Sequence, residues 1–175
     1  MLTKNFWSLA SQLLGRYNNS SKSVVMTNTS GTTASETPYS STSKPYTMLG
    51  SVCLPKTSNY GNAYGVFYGR GRTPATMDDY TMEDPIVDGS LTVSEGGPGA
   101  LTVALNEDHL RISGVHQLTN NTAEDIYIWE VGLHIIFATA GKAYLMEHTV
   151  LEEPIVVPAG NTISTEYVIK FPYGT

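Results

Sequence analysis

The longest regular pattern in the chain is an alternation. Tyr127, Trp129, Val131, Leu133, Ile135 and Phe137 share one parity, while Glu130, Gly132 and His134 take the other. Strict period-two patterning marks a strand with one face on a core. A second alternation sets Ile163, Thr165, Tyr167, Ile169 and Phe171 against Ser164, Glu166 and Lys170. It follows Ile155-Val156-Val157 and the turn Pro158-Ala159-Gly160-Asn161, so the two runs form a hairpin. Shorter strand-like runs lie at 63–69 and at 100–105, where Leu101, Val103 and Leu105 face one way. Asn106-Glu107-Asp108 turns the latter toward Leu110 and Ile112, and Thr139–Lys142 leads into AYLMEHTVL. Roughly seven to nine strands with no fixed-period repeat predict an all-β fold: a two-sheet antiparallel sandwich, jelly-roll or immunoglobulin-like, over residues 47–175. Trp129, Val131, Leu133, Ile135, Ile163, Tyr167 and Ile169 are the predicted core.

The first residues follow a different period. Leu2, Phe6, Leu9 and Leu13 step by one helical turn, Trp7 and Leu14 widen the stripe, and Gly15 is a stop signal. The spacing predicts a short amphipathic helix over 2–14, too short to be stable alone in water. It must pack either on its own domain or on another subunit. Residues 18–46 are rich in Ser, Thr and Asn, with Val24-Val25-Met26 as the main apolar run. Such a stretch buries too little to offset its ordering entropy, so residues 1–46 are expected to be an anchoring helix and an extended arm. The anchor residues are then Leu2, Phe6, Trp7, Leu9 and Leu13.

Composition sharpens the class. Charged residues make up only 15% of the chain, and Tyr outnumbers Phe 11 to 4. Few charges with many small polar residues suit strands and turns, and Tyr is favoured at protein interfaces. The net charge of −6 is uneven, since residues 1–46 hold Lys4, Arg16, Lys22 and Lys44 against Glu36 alone. An acidic body repels a phosphate backbone, which disfavours nucleic acid as a partner. No run of about 18 apolar residues offers a membrane span, and the N-terminus lacks a convincing signal-peptide pattern. The lone Cys53, in an apolar run, reads as a buried thiol and excludes an internal disulfide.

Catalytic and cofactor motifs do not emerge. The run Gly69-Arg70-Gly71-Arg72 lacks the following helix that a phosphate site needs, and reads as a turn with two exposed cations. His109, His116, His134 and His148 are scattered and expected at the surface. The acidic run Asp78, Asp79, Glu83, Asp84 and Asp88 does not match the spacing of a calcium loop, and is expected to be solvated or paired with Arg70 or Arg72. Neither a metal nor a cofactor is expected. Asn19-Ser20-Ser21, Asn28-Thr29-Ser30 and Asn120-Asn121-Thr122 match the glycosylation sequon, as expected by chance in so Asn-, Ser- and Thr-rich a chain.

The run GRGRTPATMDDYTMEDPI, followed by IWEVGL and by YLMEHTVLEEPIVVPAGNTISTEYVIKFPY, resembles small virion structural proteins of tailed bacteriophages. In those, a G-x-G-x-T-P-x-x-x-D-D-Y-x-x-E stretch precedes a β-sandwich with an E-V-G-L strand. Here the stretch is Gly69, Gly71, Thr73, Pro74, Asp78, Asp79, Tyr80 and Glu83, and the likeness covers roughly residues 63–173. The resemblance implies a non-enzymatic subunit of the virion, a head decoration or head fibre protein whose partners are other virion proteins and copies of itself. Neither nucleic acid nor membrane is expected as a partner. A receptor- or carbohydrate-binding module of a tail fibre is the alternative. It needs exposed aromatics beside polar groups, for which Tyr60, Tyr64, Tyr68 and Tyr80 are the candidates.

Overall fold

The computed structural model describes residues 1–14, 24–36, 56–57, 63–95, 102–136 and 142–172. Asn19, Cys53, Tyr60 and Phe137 lie outside them, as do the side chains of Leu13 and Tyr64. The protein is all-β, a two-sheet antiparallel sandwich with, among the described residues, one short helix, α1 (Lys4–Leu14). After a small hairpin of β1 (Val24–Thr27) and β2 (Thr33–Glu36) come β3 (Lys56–Thr57), β4 (Ala63–Gly69), β5 (Leu91–Glu95) and β6 (Thr102–Leu105). The long strands follow: β7 (His109–Asn120), β8 (Ile126–Ile136), β9 (Ala143–Val157) and β10 (Thr162–Pro172). One sheet runs β3-β4-β8-β9. In the other, β7 pairs with β10 on one side and with β5 and β6 in succession on the other.

The core lies between the sheets. Val66 and Tyr68 of β4, Leu118 of β7, Val131, Leu133 and Ile135 of β8, and Tyr144 and Met146 of β9 are buried there. Ile163, Tyr167 and Ile169 of β10 face this core as the alternation predicts, but stay half-buried. Side-chain hydrogen bonds tie the sheets together, among them Asn120 Nδ2 of β7 donating to Val157 O of β9 at 2.9 Å. Tyr68 Oη lies 2.7 Å from His116 Nδ1, and Tyr167 Oη donates to Glu147 Oε2 at 2.9 Å. Burial pushes both phenols above their ordinary ionisation range; at Tyr167 the Glu147 charge adds to it.

One predicted core residue is displaced. On β8, Ile126 and Ile128 are buried, and so are Val131, Leu133 and Ile135, although the two sets have opposite parity. A register shift reconciles them. Ile128 pairs with Ile155 and Glu130 with Val150, so Trp129 stands opposite residues 151–154 of β9. Pro154, which has no N–H to give a ladder, falls within that stretch. The bulge turns Trp129 and Tyr127 outward; Trp129 is only half-buried and Tyr127 is 49% exposed. A second shift, between Leu133 and His134, skips Met146.

The N-terminal residues belong to the same core. Leu2 bridges Glu147, and the Thr3 N–H donates to Met146 O, so the chain covers the outer edge of β9. Phe6 and Leu9 of α1 pack on the core, and Phe6 stacks on Phe171 with centroids 5.7 Å apart. The Asn5 side chain ties α1 to both Thr27 and Leu145 O. Composition makes 18–46 a polar tether, yet Val24 and Met26 are buried in the core cluster. Two short apolar side chains at alternate positions suffice once a hairpin presents them. The sequon residues Asn28 and Asn120 are buried as well, each accepting turn hydrogen bonds from residues two and more positions on.

The bulge yields a paired prediction. Ile128→Ala should cost about 2–5 kcal/mol by urea denaturation, while Tyr127→Ala should stay within about 0.5 kcal/mol. Equal costs at both positions would contradict the parity change.

Candidate functional site

The richest cluster of titratable groups lies on the outer face of β8. Glu130 is wholly buried there, a position that a carboxylate tolerates only when fully hydrogen-bonded. Its Oε1 accepts the backbone N–H groups of Gly71 (3.2 Å) and Asp84 (2.7 Å), and its Oε2 accepts that of Glu83 (3.0 Å). His148 of β9 completes the set, with Nε2 donating to Glu130 Oε2 at 2.9 Å and Nδ1 to Asp79 Oδ2 at 2.6 Å. Residues 70–86 therefore close over the sheet as a loop fastened from within. Thr76 anchors Asp79, and Glu83 accepts the N–H groups of Arg72 and Thr73 together with the Thr73 hydroxyl.

Glycines make this approach possible. A Cβ on Gly69 would meet Glu130 Oε1 at 2.3 Å, and one on Gly71 would meet Glu83 Cβ at 2.6 Å. One on Gly132 would strike Met82 Sδ at 2.7 Å. The glycine-rich run is thus neither a phosphate cradle nor a simple turn. It is the floor on which the Glu130 carboxylate lies.

Three sequence expectations change here. His116, His134 and His148 are buried rather than at the surface. Of the acidic run, Asp78, Glu83, Asp84 and Asp88 are exposed as expected and Asp88 makes the expected arginine pair, with Arg70 at 3.6 Å, but Asp79 is partly buried and bonded to Thr76 and His148. Tyr68 is buried in the core, whereas Tyr80 is exposed with its ring over Gly31. Glu130 and His148 were missed as a pair. Their signal was a charged residue inside an apolar strand, IYIWEVGL and YLMEHTV.

The electrostatics follow from burial opposed by bonding. Burial raises Glu130, but the bonds from His148 and the three amides outweigh it and hold the carboxyl below its usual range. Asp79 behaves alike: burial raises it, and Thr76 and His148 bring it down. For His148 burial lowers the imidazole, and the two carboxylates more than reverse this, leaving it raised. When protonated, His148 can donate from each ring nitrogen to a carboxylate. Among the described residues no group of three or more His, Cys, Asp or Glu side chains is placed to hold a metal ion. No helix among them is long and apolar enough to cross a membrane.

Next to the clasp, the outward turn of Trp129 opens a groove of about 710 Å³. Arg72 lies over the indole, 3.9 Å from its centroid, and Arg70, Asp88, Glu124 and Tyr127 line the same groove. Sequence reasoning missed these aromatics because the alternation assigned both to the core.

The clasp sets a pH dependence with two limbs. His148, raised above 6.5, contributes fully below that pH and loses its contribution as pH rises through its folded value. His134, beside Phe67, is lowered to about 4 by burial, aided by the charge on His148. Its contribution is present above 6.5 and is lost as pH falls toward 4. Glu130 and Asp79, both lowered, add a further loss in acid. Thermal melts should peak near pH 6.5; His134→Leu should flatten the acid limb, and His148→Gln the alkaline one. Glu130→Gln should cost about 3–5 kcal/mol, since an amide nitrogen would face N–H donors. A monotonic pH profile, or a neutral Glu130→Gln, would contradict the assignment.

No protein-family model matches the chain, and neither a curated protein nor a solved structure matches it.

Proposed function

We propose that the chain is a non-enzymatic structural subunit of a tailed-phage virion, capsid-associated as a decoration or head fibre protein. The observation that supports this is the fate of the motif residues. Gly69, Gly71, Thr73, Asp79, Glu83, Glu130, Gly132 and His148 carry the resemblance to virion proteins, and all meet in one clasp. Its carboxylates and imidazole are bonded within the chain. A motif spent on fastening a loop to a sheet serves shape, which is what a subunit packed among copies of itself and other virion proteins requires.

The particle contact is proposed at the N-terminal segment, at the large aromatic that the chain's own core leaves half exposed there. Leu2 pairs with β9, and Phe6 and Leu9 face the chain's own core. Trp7 remains 52% exposed on the outer side of α1. A half-exposed aromatic, packed edge-on against Phe6 with ring centroids 5.3 Å apart, has the character of an interface anchor. Because Val24 and Met26 sit in the core, removing residues 1–46 should unfold the body rather than merely release it.

Trp7→Ala should therefore lower the melting temperature only slightly, through loss of the Phe6 contact, and lower the copy number in purified particles about tenfold, as counted by mass spectrometry. An undiminished copy number would refute docking through Trp7. Absence of the unaltered chain from purified particles would refute the virion role itself.

A further inference from the structure

The groove beside the clasp has features that the clasp does not use. The Tyr127 ring stands 49% exposed, and its cross-strand neighbour Val156 is 39% exposed. Together they make a flat apolar patch on the outer face of the sheet. At the groove, Arg70 is committed to Asp88 and to Ser90 Oγ, 3.3 Å away. Arg72 is not. Its backbone N–H is held by Glu83, and its guanidinium rests on Trp129. Among the described residues none hydrogen-bonds the Arg72 guanidinium, the Glu124 carboxylate or the Tyr127 hydroxyl.

The charges decide the class of ligand. The lining carries Arg70 and Arg72 against Asp88, Glu124 and Asp125. A polyanion would meet three carboxylates, and a polycation two guanidiniums. A neutral polyol suits both, because each hydroxyl can donate to a carboxylate and accept from a guanidinium. A pyranose also presents a C–H face that lies flat on an aromatic ring. The volume of about 710 Å³ falls within the ~300–1,000 Å³ common for small-ligand sites.

We propose that this groove binds a neutral oligosaccharide, with a sugar ring stacked on Tyr127 and its hydroxyls held between Arg72 and Glu124. The site is pre-organised by the clasp. Gly71 next to Arg72, and Glu130 next to Trp129, are joined by the 3.2 Å hydrogen bond that fixes the loop. Little ordering is left for binding to supply. The site is independent of the contact at Trp7, and a subunit of the particle can carry both.

The full chain should be applied to an array of neutral and acidic oligosaccharides, and the best-retained neutral member titrated by calorimetry. Retention of neutral oligosaccharides is expected, with the Kd weakened about tenfold by Tyr127→Ala and by Arg72→Ala. Tyr127 is half exposed, so Tyr127→Ala should leave the melting temperature in place, while Arg72→Ala should lower it only slightly, through loss of its contact with Trp129. Tyr80→Ala, an exposed tyrosine outside the groove lining, should leave the Kd unchanged. Retention of acidic members alone, retention of none, or a Kd insensitive to Tyr127→Ala would overturn the proposal.

Discussion

A carboxylate with no exposed surface dominates the outer face of this sandwich. Glu130 sits in mid-strand, where an unpaired charge would cost several kcal/mol, and its neighbours are arranged to prevent that. Three backbone N–H groups and one imidazole converge on its two oxygens. To bring them there, a loop without regular structure must fold flat against the sheet. Gly69, Gly71 and Gly132 clear the space, Glu83 and Asp79 pin the loop, and His148 links it to β9. The first residues are joined to the same place, since the His148 N–H donates to Met1 O at 2.9 Å.

The strands were largely legible in the sequence because period two is a local signal. The 63–69 strand, the turn before β7, the polar link before β8 and the Pro158–Asn161 turn all lie where patterning puts them. The sandwich class follows from their number and spacing. What patterning cannot see is a change of phase. The bulge at Trp129 moves two aromatics from the inner face to the outer one without altering the alternation in the sequence. A register shift is a property of two strands, and the partner residues 151–154 lie some twenty positions away.

The clasp was illegible for a related reason. Asp79, Glu130 and His148 come from a loop and two strands, and acid runs or lone histidines considered singly are most simply placed in water. Only their meeting makes them interior groups. The hairpin of β1 and β2 shows the converse. A segment whose composition argues for a polar tether still places Val24 and Met26 in the core, because burial is decided by two side chains and not by the average over thirty. The groove inherits both effects: the bulge exposes Tyr127 and Trp129, and the clasp sets the Arg70–Arg72 segment beside them.

Sharing one acceptor residue has a kinetic corollary. The amide of Gly71 and those of the neighbours Glu83 and Asp84 lie at opposite ends of the loop but end on the same carboxylate. None can be released singly without leaving Glu130 partly desolvated, so the loop opens as a unit or stays shut. Hydrogen exchange at these three positions is therefore expected to be coupled, although the segment holds almost no ladder hydrogen bonds of its own. Local order in this protein is decided by where its chain is fastened, not by which stretches are strand.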